Sequence, residues 1–207
     1  QPSPPLVSQP VPPGFDYDLW LGAAPRVPYM KDRCRYNFRF QLDYAAGKIS
    51  DWGAHHVDIA QWAMGTGRSG PVEIEGTGEF PTEGLFDTAI HFDVTFTYAN
   101  GLKLRARDED RDFPLGIRFD GEDGWVFVTR GKIETDPPGL RTARFSPDET
   151  RLYRSENHWT NFLDCVRTRQ EPIAPVEVSH RTVTMCHLAN VAMLLKRKVK
   201  WDPATET

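Results

Sequence analysis

The chain predicts an α+β fold built on an antiparallel sheet. Two observations predict it: a run of period-two segments between residues 72 and 136, and helical patterns on either side of that run, one near 50–64 and two between 157 and 195. With 207 residues it is expected to form one domain preceded by an extended arm.

The arm is residues 1 to 14, which hold six prolines and read as a polyproline-like linker. A domain that opens on a linker suggests a preceding segment, so the chain is expected to be the C-terminal part of a longer protein. From Phe15 the sequence is aromatic and irregular, with Leu19, Trp20 and Leu21 expected to anchor it. Tyr36, Phe38 and Phe40 alternate with Asn37, Arg39 and Gln41, a strand-like pattern. Ala45-Ala46-Gly47 then makes a small-residue turn, which would let another group approach the backbone. A helix follows from about Ser50 to Met64, with Ser50 or Asp51 as N-cap and Gly65 as a left-handed C-cap. Its expected apolar face is Trp52, His56, Ile59, Ala60 and Ala63.

Gly65-Thr-Gly-Arg-Ser-Gly70 has the letters of a dinucleotide fingerprint. That motif needs a strand before it and a helix after it, and here the order is reversed, so it is read as a loop. The strands are expected at Val72–Phe80, Thr88–Tyr98, Leu102–Arg107, Gly116–Asp120, Trp125–Thr129 and Lys132–Thr135, a meander with one apolar and one polar face. Ala99-Asn100-Gly101 supplies a hairpin turn. Asn157–Arg169 is a short amphipathic helix with Trp159, Phe162, Cys165 and Val166 inward. Glu177–Leu195 is a longer one with Val183, His187, Val191 and Leu194 along one side.

The net charge of −4 and pI near 5.9 argue against a nucleic-acid or anionic-membrane partner. No apolar run is long enough to span a bilayer. Cys34, Cys165 and Cys186 have neither zinc nor redox spacing and are expected to be buried free thiols; they do not fix a compartment, cytoplasmic or periplasmic.

The chemistry concentrates at Asp51-x-x-x-His55. Residues four apart on a helix stack, so the carboxylate can hold one imidazole nitrogen and leave the other to take a proton from an alcohol. The plain alternative is an N-cap beside a surface ion pair. Arg39 precedes the turn and would bind substrate or serve as an ion-pair partner. Lys48, Trp52, His56 and His180 complete the expected substrate contacts. His91, on the polar strand face, is a further candidate, set against an ordinary cross-strand partner. A metal site from Asp51, His55, Asp58 and His56 or His180 is a rival reading, weakened because His56 points about 100° from His55 on an ideal helix.

Tyr17-Asp-Leu-Trp-Leu-Gly22, Asn37-Phe-Arg39, Asp43-Tyr-Ala-Ala-Gly47, Asp51-Trp-Gly-Ala-His-His-Val-Asp58, Tyr98-Ala-Asn-Gly101, Asn161-Phe-Leu-Asp-Cys165 and Ala174-Pro-Val-Glu-Val-Ser-His-Arg181 resemble the Gfo/Idh/MocA oxidoreductases, in a subgroup common in Bacteroidetes and planctomycetes. The resemblance implies the C-terminal domain of a two-domain enzyme: an open, mostly antiparallel sheet with helices packed on one face. An N-terminal Rossmann domain, outside this chain, would bind NAD or NADP and carry the family's catalytic lysine. The domain present would contact a sugar, sugar derivative or polyol and form a homo-oligomer through the sheet. Asp51 and His55 match the family's pair, with His55 the base and Asp51 its orienting acid during hydride transfer from a carbinol carbon. The family's three glycines before the helix are Ala45-Ala46-Gly47 here, which would narrow the approach to the backbone. The rival within this fold is a non-catalytic carbohydrate-binding or oligomerisation module.

Overall fold

The alternating segments form two antiparallel sheets rather than one meander in the computed structural model, which describes residues 3–108 and 113–207. The chain divides into two compact units, Gln1–Asp108 with Arg181–Thr207, and Glu109–His180.

The first unit holds a four-stranded sheet in the order β3-β2-β1-β7, from β1 (Glu73–Glu79), β2 (His91–Thr97), β3 (Lys103–Arg107) and β7 (Val199–Lys200). β2 is central because its alternation is the cleanest: Phe92, Val94 and Phe96 turn inward while Asp93, Thr95 and Thr97 turn out. Ile74 of β1 joins them, opposite Phe96. That apolar face is covered by Val57 of α3 (Gly53–Met64) and by Met185, Cys186, Ala189, Ala192 and Met193 of α5 (Val176–Leu195). The helices therefore pack on one face of an open sheet, as expected.

The helix phases differ from the sequence reading. The stretch read as one helix is two: α2 (Lys48–Asp51) and α3, separated at Trp52. Gly47, with φ +72°, stands at the N-cap position, and neither Ser50 nor Asp51 caps. The Ser50 hydroxyl instead bridges the turn, accepting from Ala46 N–H and donating to Gly47 O, each at 3.1 Å. Gly65 does close α3 in the left-handed conformation. The buried face of α3 is Val57, Ala60 and Gln61, with Ala54 and Met64 beside it, so the expected face is rotated: Trp52, Ile59 and Ala63 are exposed. On α5 likewise Val183, His187, Val191 and Leu194 are exposed, and the core side is Met185, Cys186, Leu188, Ala189, Ala192 and Met193. In both helices polar and apolar residues are mixed around the axis, so no single apolar stripe fixes the phase from local counting.

Residues 35–40 form a 3-10 helix (Arg35–Phe40) instead of a strand. The aromatic stretch closes its own small core. Tyr17 and Leu21 of α1 (Tyr17–Leu21) bury with Cys34, Tyr17 stacks on Trp20 at 5.8 Å, and Trp20 meets Tyr44 at 4.9 Å. The prolyl arm lies along this unit: Gln9 N–H donates to Tyr29 O, and Leu85 and Phe86 N–H donate to Pro4 O and Ser3 Oγ, all at 2.9 Å.

The second unit holds the sheet β4-β5-β6, from β4 (Ile117–Gly121), β5 (Gly124–Thr129) and β6 (Lys132–Asp136), with α4 (His158–Thr168). Asn157 caps α4 by accepting from Thr160 N–H at 2.9 Å. Of the expected inner face of α4 only Cys165 is buried; Trp159, Phe162 and Val166 are exposed. All three cysteines are free and buried. No helix among the described residues is long and apolar enough to cross a membrane.

Candidate functional site

The site is built on the turn before α2. Tyr44 and Ala45 N–H both donate to Gln41 O, and Gly47 N–H donates to Arg39 O at 3.0 Å, so the chain folds back on the 3-10 helix. Gln41 is buried and fixed by Arg33, which donates to its side-chain oxygen. The small residues serve this packing. Ala46 is buried in the core, and a Cβ at Gly47 would lie 2.5 Å from Thr88 Cβ. The group that approaches the backbone here is therefore the protein's own Thr88, and the Ala46 methyl points into hydrocarbon.

Three side chains of α5, one helical turn apart, hold this region from behind. Asn190 Nδ2 donates to Ala46 O and the Cys186 thiol to Ile49 O, both at 3.1 Å. The Thr182 hydroxyl donates to Asp58 Oδ1 at 3.1 Å and accepts from the buried Gln61 amide at 3.2 Å. Burial pushes the Cys186 thiol up to about 12, so it acts as a packed, neutral donor. Nothing in the residue-by-residue sequence reading pointed to this row. Its trace in the sequence is the four-residue spacing of Thr182, Cys186 and Asn190.

Asp51 ends α2, and its Oδ2 lies 3.1 Å from an Arg39 guanidinium nitrogen. Both side chains are mostly covered, and the Arg39 guanidinium sits 3.4 Å over the Tyr36 ring and 4.7 Å from that of Phe40. The pair is stacked as well as charged. The expected carboxylate–imidazole contact differs from this: among the described residues no hydrogen bond or ion pair joins Asp51 to His55. Arg39 takes the carboxylate instead, and His55 is exposed on α3. Lys48 and Trp52 are exposed beside it, and His56 is half-buried. His180 is exposed on the first turns of α5, in the second unit. Asp51 and Asp58 are drawn to different partners, and among the described residues no three His, Cys, Asp or Glu side chains converge as metal ligands.

His91 is better placed than the sequence implied. Its cross-strand neighbour is Glu79, but its ring nitrogen Nδ1 lies 2.7 Å from Asp108 Oδ2, and Asp108 Oδ1 accepts from Phe92 N–H at 2.8 Å. The hydrogen bond with Asp108 raises the His91 pKa above the usual histidine value.

The model of an oxidoreductase family's C-terminal alpha/beta domain matches residues 3–207. No curated protein matches. Similar solved structures include the WlbA dehydrogenase from Bordetella pertussis in complex with NADH and UDP-GlcNAcA, at 14% identity and TM-score 0.56, covering 79% of this chain and 49% of that one. An aldose-aldose oxidoreductase from Caulobacter crescentus complexed with glycerol matches at 14% and 0.54, covering 80% and 51%. An NAD-binding protein from Listeria innocua matches at 14% and 0.53, covering 80% and 55%. At such identity the likeness is one of fold, and the chain spans about half the length of each.

Proposed function

We propose, for a chain that belongs to the Gfo/Idh/MocA oxidoreductase family through its C-terminal alpha/beta domain, the role of substrate-binding half of an NAD(P)-dependent enzyme that oxidises or reduces a CH–OH group of a sugar, sugar derivative or polyol. The observation that carries it is the held carboxylate: Asp51, fixed by Arg39 at 3.1 Å at the end of α2, stands four residues before solvent-facing His55 on α3. Two solved structures of like fold are of proteins described with NADH and a nucleotide sugar, and as an aldose oxidoreductase.

The glycine loop after α3 does not fit a dinucleotide. Gly65-x-Gly67-x-x-Gly70 joins the end of α3 to β1, so no helix N-terminus follows it to meet a pyrophosphate. NAD or NADP, which supplies the hydride chemistry, would be held by a Rossmann domain of the same protein. This chain's own part is to bind the hydroxyl and move its proton. His55 takes the proton. Asp51, oriented by Arg39, offers its second oxygen to the ring once His55 turns inward, and stabilises the imidazolium that forms. A placed base of this kind is worth roughly 10²- to 10⁴-fold in rate. Arg39, Lys48, Trp52 and His56, all in the first unit, are the proposed substrate contacts.

The test is a screen of sugars and polyols for NAD- or NADP-dependent turnover, using the protein that carries this domain together with a dinucleotide-binding domain. His55→Ala is expected to lower kcat by about 10²-fold or more with a modest change in KM. Undiminished turnover in both His55→Ala and Asp51→Asn removes the proposed base.

A further inference from the structure

His91 shows what the sequence led one to expect of His55: a carboxylate holds one ring nitrogen, and the rest of the ring faces solvent. The Asp108 side chain is 22% exposed and tied to the β2 backbone, whereas that of His91 is 63% exposed. Two charged residues act on the ring. Glu79 is its register partner across β1 and β2, and such partners project from the same face. Lys48 opens α2 directly after Gly47, which abuts Thr88, three residues before His91. The Lys48 ammonium is near enough to oppose protonation of the ring, against the stronger favourable pull of Asp108 and that of Glu79. Glu79 and Lys48 are both exposed.

We propose that Lys48, His91 and Glu79 form a hydroxyl-binding position that grips a vicinal diol of a polyhydroxylated ligand, with Asp108 as the positioning residue. An ammonium only donates and a carboxylate only accepts. With Nδ1 committed to Asp108, the imidazole Nε2 accepts when the ring is neutral and donates when it is charged. Adjacent hydroxyls carry donors and acceptors on neighbouring carbons, which suits this alternation. An oxyanion carries acceptors alone and would meet the Glu79 carboxylate. The inference rests on the reading of the substrate as a sugar or polyol and adds to it a second anchor. Lys48 and Asp51 both lie on α2, so this anchor and the carboxylate of the proposed catalytic pair issue from the same turn.

The experiment follows the ring-nitrogen resonances of His91 in the 207-residue chain during titration with myo-inositol, methyl glucoside and inorganic phosphate. A saturable shift of His91 is expected with the two neutral polyols, with affinity falling at least tenfold in Glu79→Gln and in Lys48→Met. His91→Gln, whose amide keeps a donor and an acceptor, should recover part of the binding that His91→Ala loses. Asp108→Asn should weaken polyol binding while changing the pH at which it is strongest. No shift at His91 with either polyol, a shift with phosphate alone, or equal affinity in Glu79→Gln overturns the proposal. Glu79 and Lys48 are exposed, so those variants decide the matter even where a change at His91 unfolds the chain. No nicotinamide is involved, so failure here leaves the His55 reading standing, and normal polyol binding with no effect of His55→Ala on turnover does the reverse.

Discussion

At His91 the linkage between charge and folding has a definite sign. Its pKa is raised in the folded chain, first by the hydrogen bond with Asp108 and then by that residue's charge. The resulting stability is fully present below the ordinary histidine value of about 6.5 and is lost as pH rises through the higher folded value. Burial raises the Asp108 pKa, but its hydrogen bonds with His91 and backbone N–H groups outweigh this and lower it, so its share is lost as pH falls through the folded value. Denaturation midpoints measured against pH should therefore fall between neutral and mildly alkaline pH in the wild type and fall less in His91→Gln. Gly47 makes a second residue-scale case. Its φ of +72° and the 2.5 Å approach of Thr88 to a built Cβ both penalise a side chain, so Gly47→Ala is expected to cost about 2 kcal/mol or more in chemical denaturation. Cys186, buried and with its thiol pushed up to about 12, should resist a thiol reagent until denaturant unfolds the first unit.

Between elements, the Thr182, Cys186 and Asn190 row of α5 decides where α2 and α3 sit. Asn190 is buried and its amide satisfies Ala46 O at 3.1 Å. Removing it by Asn190→Ala strands that carbonyl and should cost about 1–3 kcal/mol, measurable by urea unfolding, with a change in KM or kcat if the turn shifts. β2 was legible from its alternation alone, because a strand with one covered face writes its burial into every second residue. The phase of α3 was not. Gln61 is fully buried, against its type, because Thr182 lies 3.2 Å away to receive its amide. Tyr36, Phe38 and Phe40 alternate as a strand would, yet residues 35–40 curl into a 3-10 helix that carries Arg39 to Asp51. Among the described residues no strand pairs them, and the cation stacked on Tyr36 and Phe40 holds the turn.

For the molecule as a whole, the 207-residue chain by itself is expected to show no NAD- or NADP-dependent turnover, since its glycine loop at 65–70 leads into β1 and not into a helix that could meet a pyrophosphate. Appreciable reduction of either cofactor by the purified chain would contradict that. The sequence by itself determined the family, the antiparallel strands and the inward face of β2, the free buried cysteines and the end of α3 at Gly65. These follow from local rules: period, turn chemistry, and motifs that keep their spacing whatever surrounds them. Only the tertiary structure decided that Arg39 rather than His55 takes the Asp51 carboxylate, that Thr88 and Asn190 fill the space about the small-residue turn, and that Asp108 orients His91. Each of those joins residues between 12 and 144 positions apart, and a partner's distance along the chain carries no information about its distance in space until the sheet and helices have packed.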